Sequence, residues 1–183
     1  MRITRVLATA GAAALLGACS HVVPHYQESV DTVAKLEQAG GGKVAVDEFR
    51  GVESMQVLHG RANTFKSPYG GRFSTYIQEA LRLELARAGR FDPDAPVRVA
   101  GVLDRNALDI DGANVGSQEI AVRFTVTRDG RNVYERTHSA HREWASSFAG
   151  AIAIPAGRDA YPGTVTELLD SLFSDPAFLG AIR

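Results

Sequence analysis

The sequence is almost free of cysteine, since Cys19 is the only one among 183 residues. A single cysteine cannot form a disulfide within the chain, so no such bond stabilises the fold. Cys19 lies close to the start of the chain, directly after an apolar stretch. A cysteine in such a place is a core thiol, a nucleophile, a metal ligand or an attachment point, and the residues around it decide between these roles.

The sequence also lacks an excess of charge and any block of Lys or Arg residues. Its 20 basic and 21 acidic residues give a formal net charge of −1. A nucleic-acid-binding surface needs clustered basic side chains that neutralise phosphates. We therefore predict that nucleic acid is not a partner.

The apolar run before Cys19 is shorter than the roughly 20 residues that a membrane-spanning helix needs. Residues 6–16 are apolar apart from one Thr, they follow Arg2 and Arg5, and small residues come directly before Cys19. A basic segment, an apolar segment and a small-residue cleavage site are the layout of a secretory signal peptide. We predict that residues 1–18 are such a peptide, and we disfavour a transmembrane anchor.

Residues 16–19, LGAC, resemble the bacterial lipobox, in which cleavage falls directly before the cysteine. The resemblance implies that the thiol of Cys19 receives a diacylglyceryl group and that its new amino group is acylated. Ser20 stands where the familiar inner-membrane retention signal has Asp, which implies the outer membrane and its periplasmic face. Two or more acyl chains make such anchoring durable. An acylated Cys19 would leave no thiol for nucleophilic catalysis or for metal binding.

Removal of residues 1–18 would leave 165 residues, enough for one domain, and a net charge of −3 because two arginines are lost. We predict that residues 19–42 form a lipidated tether. They are largely polar, contain only a weak helical pattern and end in three glycines, which favour a flexible join. Residues 43–183 are predicted to form the periplasmic domain.

The first half of this domain contains one clear helix. Apolar and other residues alternate over residues 43–49, which indicates a strand. Residues 50–72 have little pattern, although residues 55–59 could form a short second strand and residues 67–71 have the composition of a turn. Residues 73–88 repeat apolar side chains at helical spacing, and a glycine follows where the end of a helix favours one.

Strands dominate the second half. Residues 97–110 alternate as a strand, in which Gly101 indicates a bulge or a close backbone approach. The clearest alternation covers residues 119–144, and Asp129-Gly130 within it is a hairpin turn.

The hairpin allows two registers. A two-residue loop would place Val133 opposite Val126, whereas a three-residue loop with a bulge would place Tyr134 opposite Phe124. We favour the second register because it joins two aromatic side chains on the core face.

The last part of the chain is predicted to be helical. Residues 148–158 are apolar but broken by Pro155, and we interpret them as a packed loop. A helix is predicted over residues 160–173, and the capping box at residues 164–167 could mark the start of its regular part. Asp175-Pro176 then has the pattern of an N-cap and first residue of a short final helix.

The order strand, helix, strand, hairpin and helix predicts an α+β domain of two layers. We expect a mostly antiparallel sheet of about four strands, with two main helices on one face. Such an arrangement buries the helix-facing side of the sheet.

Five stretches point to a known family: RFSTYIQEALRLELARAG, VRVAGVL, EIAVRFTVTRDGRNVYERTHSAHREW, SSFAGAIAIP and VTELLDSLFSDPAFLGAIR. Through them residues 73–183 resemble small Gram-negative envelope lipoproteins of the YajG type, within a wider group that includes transport-auxiliary and assembly-factor members. The resemblance implies an α+β lipoprotein that acts on a protein partner or an apolar ligand without catalysis. It transfers no catalytic residue to this chain.

Motifs of common enzymes are absent from the sequence. The GxSxG motif of serine hydrolases and the HExxH motif of zinc proteases do not occur. Gly42-Lys43 is not a phosphate-binding loop, because Glu37 stands where a glycine is needed and Val44 stands where Ser or Thr is needed. We therefore predict that the protein is not an enzyme and needs no cofactor.

The sequence also offers no convincing metal site. His138 and His141 would point to opposite faces of a strand, because side chains alternate along it. Residues 109–112 resemble the start of a calcium loop, but the residues after them depart from the pattern, so we interpret them as a polar turn. Asp104 could join Asp109 and Asp111 in acid–base chemistry only if folding brought them together.

The one candidate patch is apolar and consists of Trp144, Phe148, Ile152 and Ile154. Packing against the last helix is the favoured interpretation, and the alternative is a partly exposed groove for a lipid or a partner segment.

Together these features predict an outer-membrane lipoprotein, held in outer-membrane lipid through acylated Cys19. Its periplasmic domain is expected to bind an envelope protein partner in transport or assembly. The alternative is a domain that binds a small apolar or lipid ligand.

Overall fold

The structure is a computed structural model that describes residues 19–183. The predicted signal peptide, residues 1–18, lies outside the described residues. The strands of the described part are β1 (Ser20–Val22), β2 (Ala45–Val46), β3 (Arg50–Gly51), β4 (Leu58–Gly60), β5 (Asn63–Lys66), β6 (Val97–Asp109), β7 (Val115–Arg128) and β8 (Arg131–Ala145). The helices are α1 (Val30–Ala39), α2 (Phe73–Arg87), α3 (Gly150–Phe173) and α4 (Pro176–Ala181), with one 3₁₀ turn at Glu53–Met55.

The main sheet has β7 between β6 and β8, and both neighbours pair with it antiparallel. β2 and β3 pair one after the other with the outer edge of β6, and both run parallel to it. β1, β5 and β4 form a separate three-stranded sheet. β8 therefore has a sheet neighbour on one side only.

The main sheet buries one face, as its alternating sequence predicts. On β7 every second residue is buried and the residues between are more exposed. Helices α2 and α3 supply the second layer, and the ring of Tyr161 on α3 packs against Phe73 and Tyr76 on α2, with centroid distances of 4.4 and 5.0 Å. The predicted α+β class is confirmed, and so is the helix predicted over residues 73–88.

The predicted sheet of about four strands with two main helices is too simple. The structure has two sheets, two parallel pairs in the main one, and two further helices. β1, β3 and β5 were not predicted and contain only two to four residues each. β2 lies within the strand predicted over residues 43–49, and β4 overlaps the short strand considered at residues 55–59. Strands this short contain too few residues for a periodic pattern, so their pairing depends on distant parts of the chain.

Residues 20–39 are part of the folded domain, whereas the sequence predicted a tether. β1 pairs with β5, and Val23 and Tyr26 behind it are buried. Helix α1 contacts α2 and α3, and Leu36 on its inner face is fully buried. The apolar residues here are too few to form a strong pattern, but four of them, Val23, Tyr26, Val33 and Leu36, are buried against distant parts of the chain.

The hairpin between β7 and β8 has neither predicted register. Asp129 and Gly130 both have positive φ, 51° and 75°, and form a two-residue turn. Val133 is an extra residue without a partner, so that Tyr134 lies opposite Val126. The hairpin thus combines the short loop of one predicted register with the bulge of the other, and Tyr134 still faces the core.

Helix α3 begins ten residues earlier than the predicted last helix, since it starts at Gly150 where a loop was expected. Pro155 and Pro162 both lie inside it. A proline inside a helix costs about 3 kcal/mol, so propensity alone predicts a break. Packing offsets this, because the helix lies close to the sheet: a Cβ at Gly157 would stand 2.8 Å from Ile110.

The predicted capping box is not used, because Thr164 lies within the helix and its hydroxyl donates to the carbonyl oxygen of Ala160. The final helix is as predicted. Asp175 Oδ1 accepts a hydrogen bond of 2.9 Å from the Ala177 N–H, and Pro176 takes the first helical position.

Gly101 allows another part of the chain to approach β6, which was one of the two predicted explanations. A Cβ at this position would lie 2.4 Å from the Phe49 ring. Phe49 is buried and also packs edge-on against Phe124, with centroids 5.9 Å apart. The predicted alternative, a bulge at Gly101, does not occur: Gly101 pairs regularly with Phe124, and the register shift of β6 lies at Asp104.

We expect Gly101→Ala to destabilise the protein by about 1–3 kcal/mol, because the new methyl group would displace the Phe49 ring. Urea unfolding followed by circular dichroism would measure the change. Gly42→Ala is the matched control, since no atom lies within 4 Å of its added Cβ. Equal stabilities of the two variants would contradict the proposed close packing.

Candidate functional site

The predicted apolar patch lies where β8 ends and α3 begins. Trp144 is near the end of β8, Phe148 is in the connection, and Ile152 and Ile154 are in the first turns of α3. Trp144 and Ile154 pack against the core, whereas Phe148 and Ile152 point outward and are 81% and 58% exposed. The four residues are therefore two inward and two outward side chains and do not form one groove.

Trp144 has a structural environment. Its indole lies against the backbone of Gly116, its partner on β7, where a Cβ would come within 2.7 Å of the ring. An aromatic ring that covers a glycine on the neighbouring strand helps to fix the register. Trp144 therefore stabilises this end of the hairpin, in agreement with the favoured interpretation of core packing.

Arg61 joins the loops around this patch. It lies in the turn between β4 and β5, and its guanidinium donates to the carbonyl oxygens of Ile110 (2.5 Å), Gly112 (2.9 Å), Ser147 (3.0 Å) and Phe148. It also lies 5.8 Å from the centre of the Phe148 ring. The sequence has no signal for this role, because Arg61 stands in the segment without a pattern and its partners are 49–87 residues away.

β8 presents the longest free strand edge of the described part. It has 15 residues, and the edge that faces away from β7 has no strand partner within residues 19–183. From Tyr134 onward its pairing with β7 is regular, so the edge has no bulge over twelve residues. An unpaired edge of this length exposes backbone donors and acceptors that can pair with another chain.

A buried polar network lies under α4, at the opposite end of β8 from the apolar patch. The Tyr134 hydroxyl lies 2.8 Å from Asp175 Oδ2 and 2.7 Å from His138 Nε2, and Arg136 Nη1 donates to the same Asp175 oxygen at 2.7 Å. His138 Nδ1 lies 3.0 Å from the Ser171 hydroxyl. These contacts attach the last two helices to the sheet.

Burial and charge shift the pKa values of this network. Burial lowers the pKa of His138 below its usual value, although the charge of Asp175 acts against this. Burial alone would raise the pKa of Asp175, but hydrogen bonds from Tyr134 and the Ala177 N–H, together with the Arg136 charge, hold it below the usual value. The geometry favours a neutral imidazole beside a carboxylate that accepts hydrogen bonds from the surrounding groups.

The network includes a Ser, a His and an Asp side chain, but their arrangement differs from that of a nucleophilic triad. The Tyr134 hydroxyl bridges His138 and Asp175, whose own separation is 3.6 Å. His138 is 8% exposed, so a substrate has little access to its ring. A nucleophilic triad needs its serine beside an open cleft.

The predicted orientation of the two strand histidines is confirmed. His138 faces the core, whereas His141 faces solvent, where it lies 3.3 Å from Glu143. No group of three or more His, Cys, Asp or Glu side chains converges within residues 19–183.

The three carboxylates considered for acid–base chemistry have separate roles. Asp104 pairs with Arg123 at 3.3 Å, Asp109 accepts a hydrogen bond from the N–H of Asp111, and Asp111 accepts one from the N–H of Arg61. The structure does not bring them together as an acid–base pair.

Three surface depressions have volumes of about 390, 470 and 430 Å³. The first lies along α1, the second on the open face of the main sheet beside β3, and the third at the β7–β8 turn. None of the three is lined by a residue of the apolar patch.

Comparison with known proteins identifies the fold of the chain. No family model matches the sequence, and no curated protein matches it either. The crystal structure of a Xanthomonas campestris protein of the DUF330 family matches with a TM-score of 0.62 at 12% identity, over 88% of this chain and 96% of that one. This chain is therefore an α+β domain with a fold similar to that of the Xanthomonas protein.

Two further solved structures are more distant. A Caulobacter crescentus protein provisionally described as a lipoprotein has a TM-score of 0.48 at 15% identity, over 82% of this chain and 97% of that one. A hypothetical protein from Chlamydia trachomatis has a TM-score of 0.45 at 12% identity, over 72% and 92% of the two chains. The resemblance to YajG-type lipoproteins stays a prediction. Within residues 19–183 no helix is both long and apolar enough to cross a bilayer.

We expect the free energy of unfolding to fall as the pH is lowered from 7 to 5. The pKa of His138 is lower in the folded than in the unfolded protein, where it is about 6.5. The unfolded chain therefore takes up a proton that the folded ring resists, so stability is fully present above about pH 6.5 and is lost toward the folded pKa. His138→Gln should weaken this decline in urea unfolding at several pH values.

The control is His141→Gln, which changes a histidine on the same strand but on its solvent-facing side. This variant should keep the decline of the unmodified protein. If His138→Gln keeps it as well, the buried network is not its source.

Proposed function

We propose that this protein is an outer-membrane lipoprotein, anchored through acylated Cys19, whose periplasmic domain binds another envelope protein in transport or assembly and catalyses no reaction. The observation that carries partner binding is the free edge of β8. Addition of a strand from a partner would satisfy the exposed backbone groups and extend the main sheet. The partner is proposed to be a protein because a strand edge recognises a peptide backbone.

The anchor is supported by the lipobox resemblance and by the position of Cys19. The thiol is free and exposed, and residue 19 directly precedes the first strand. No side chain of the core therefore has to move for the cysteine to be modified.

The side chains of β8 suit reversible pairing with a protein. Thr137 and Ser139, near the middle of the strand, are exposed and uncharged, whereas Glu135 and His141 on the same face limit uncontrolled association. On the other face, Tyr134 and His138 are fixed by the buried network, so the edge is rigid before a partner binds.

A small apolar ligand, the alternative considered from the sequence, has less support. The space between the sheet and the helices is filled by fully buried side chains, among them Tyr76, Tyr161, Phe124 and Phe173. A ligand pocket in such a fold would need a lined cavity in this layer. The absence of catalysis is proposed because the Ser, His and Asp side chains that lie together serve to pack the last two helices.

We expect Cys19→Ser to abolish incorporation of labelled palmitate and to remove the protein from the outer-membrane fraction. Without the thiol no diacylglyceryl group can be attached, and the durable hold of several acyl chains is lost. Labelling and membrane fractionation of cells that express the full-length chain would measure both effects. The control is Ser20→Ala, which keeps the thiol and should still be labelled. A Cys19→Ser protein that stays in the outer-membrane fraction would contradict the anchor.

For the edge strand, we expect a photo-crosslinking amino acid at Thr137 or at Ser139 to yield the same crosslinked product in intact cells. Both positions lie on the exposed face of β8, so one added strand passes both of them. Gln38 on the exposed side of α1 is the matched control and should yield no such product. A product with an envelope protein supports the proposal.

Two outcomes would contradict it. Identical products at all three positions would mean non-specific contact. A product with the mass of two copies of this chain would assign the edge to self-association.

A further inference from the structure

Three of the exposed large apolar side chains lie at one end of the molecule. They are Val115, Phe148 and Ile152, with exposures of 53%, 81% and 58%. Val115 begins β7 and pairs with Ala145 at the end of β8, and α3 begins five residues later. The topology therefore brings the three side chains to the same end of the main sheet. We refer to these three residues as the apolar tip.

The lipid attachment point lies at this end as well. The carbonyl oxygen of Cys19 accepts a hydrogen bond of 3.0 Å from the N–H of Thr64 on β5. β1 runs parallel to β5, so Cys19 lies on the side of Thr64 that leads back to the turn at Arg61. Arg61 lies in the turn just before β5, three residues from Thr64, and its guanidinium contacts Ser147 and the Phe148 ring.

The chain leaves no slack between the attachment point and the fold. β1 begins at Ser20, directly after Cys19, and one residue spans at most about 3.6 Å. An acylated Cys19 must lie at the level of the lipid head groups, since its acyl chains are in the bilayer. The end of the domain that carries Cys19 therefore stays against the membrane and cannot stand off from it.

From these observations we propose that the apolar tip inserts into the interfacial layer of the bilayer beside the acyl chains of Cys19 and orients the domain on the membrane. This inference rests on the acylation proposed above. Exposed Phe and Ile side chains gain by leaving water for the boundary between head groups and acyl chains. We assign the contact of the apolar tip to lipid because acylated Cys19 keeps this end of the domain next to the bilayer surface.

Charge indicates which lipids suit this contact. Three acidic residues lie within two residues of the strand ends at this end of the main sheet: Asp109, Asp111 and Glu143. The guanidinium of Arg61 is engaged by carbonyl oxygens and its neighbour Asp111 accepts its backbone N–H. Arg142, next to Glu143 on β8, lies 3.6 Å from the carboxylate of Glu167. This end of the domain is therefore not basic, and zwitterionic lipids suit it better than anionic ones.

The orientation has a consequence for the free strand edge. β8 ends at Ala145 beside the apolar tip and begins at Arg131, at the opposite end of the hairpin. With the tip in the bilayer, the 15-residue strand leads away from the membrane, and its edge is open to a partner in the periplasm.

The scarcity of cysteine makes a direct test possible. In the acylated chain any engineered cysteine is the only free thiol. A nitroxide label at Phe148→Cys or Ile152→Cys would report on the apolar tip, and Val133→Cys at the far turn is the control, 47% exposed in the protein. The full-length, acylated protein is placed in vesicles of phosphatidylethanolamine and phosphatidylcholine, and co-flotation confirms that it is anchored.

Collisions of the nitroxide with oxygen, which concentrates in the bilayer, are compared with collisions with a water-soluble nickel chelate. We expect the ratio of oxygen to nickel collisions at residues 148 and 152 to exceed the ratio at residue 133 several-fold. Equal ratios at all three positions in protein that floats with the vesicles would overturn the inference and leave the anchor intact. Protection of residues 148 and 152 from both reagents would assign the tip to a protein contact and would also overturn it. Protein that does not float would show that the anchor is wrong, and the inference would fail with it.

Discussion

The other elements of the fold depend on the buried face of β7. This face consists of Ile120, Val122, Phe124 and Val126. β6 and β8 extend it on both sides, and α3 lies across it. Burial of one such side chain contributes about 1.5–3 kcal/mol. This gain explains why α3 stays continuous through two prolines: a break would expose the part of the sheet that its first turns cover.

At each end of the main sheet a charged side chain connects separate segments of the chain by hydrogen bonds. At one end Arg61 donates to carbonyl oxygens of loops that are far apart in the sequence, so one flexible side chain replaces several backbone contacts. At the other end Asp175 caps α4 and accepts hydrogen bonds from β8. Such polar groups stabilise a fold only when they are satisfied, and each of these two has partners in two separate segments of the chain.

The two ends thereby differ in what they offer to other molecules. The Arg61 end carries three of the exposed large apolar residues and the exposed cysteine, whereas the Asp175 end contains the buried polar network. β8 connects the two ends and is free along one side. In the function proposed here, the first end meets lipid, the second completes the core, and the strand between them is left for a protein. This division follows from topology, because antiparallel strands of nearly equal length place their turns at opposite ends.

Much of the fold could be predicted from local pattern. The alternation in β6 and β7, the apolar face of α2, the turn at Asp129-Gly130 and the cap at Asp175 each depend on residues a few positions apart. Whether a residue of the candidate patch is buried could not be predicted from the sequence, because spacing does not distinguish the covered Trp144 from the exposed Phe148.

The sequence by itself determined the α+β class, the main elements and the exclusion of a disulfide within the chain. Tertiary structure decided that residues 20–39 are folded, that residues 150–159 are helical and that β8 is an edge. It also decided that Cys19, Arg61 and Phe148 meet at one end. The physical reason is the same in each case: short strands, prolines in a helix and single arginines acquire their roles from partners distant in the chain, and these partners come together only when the core forms.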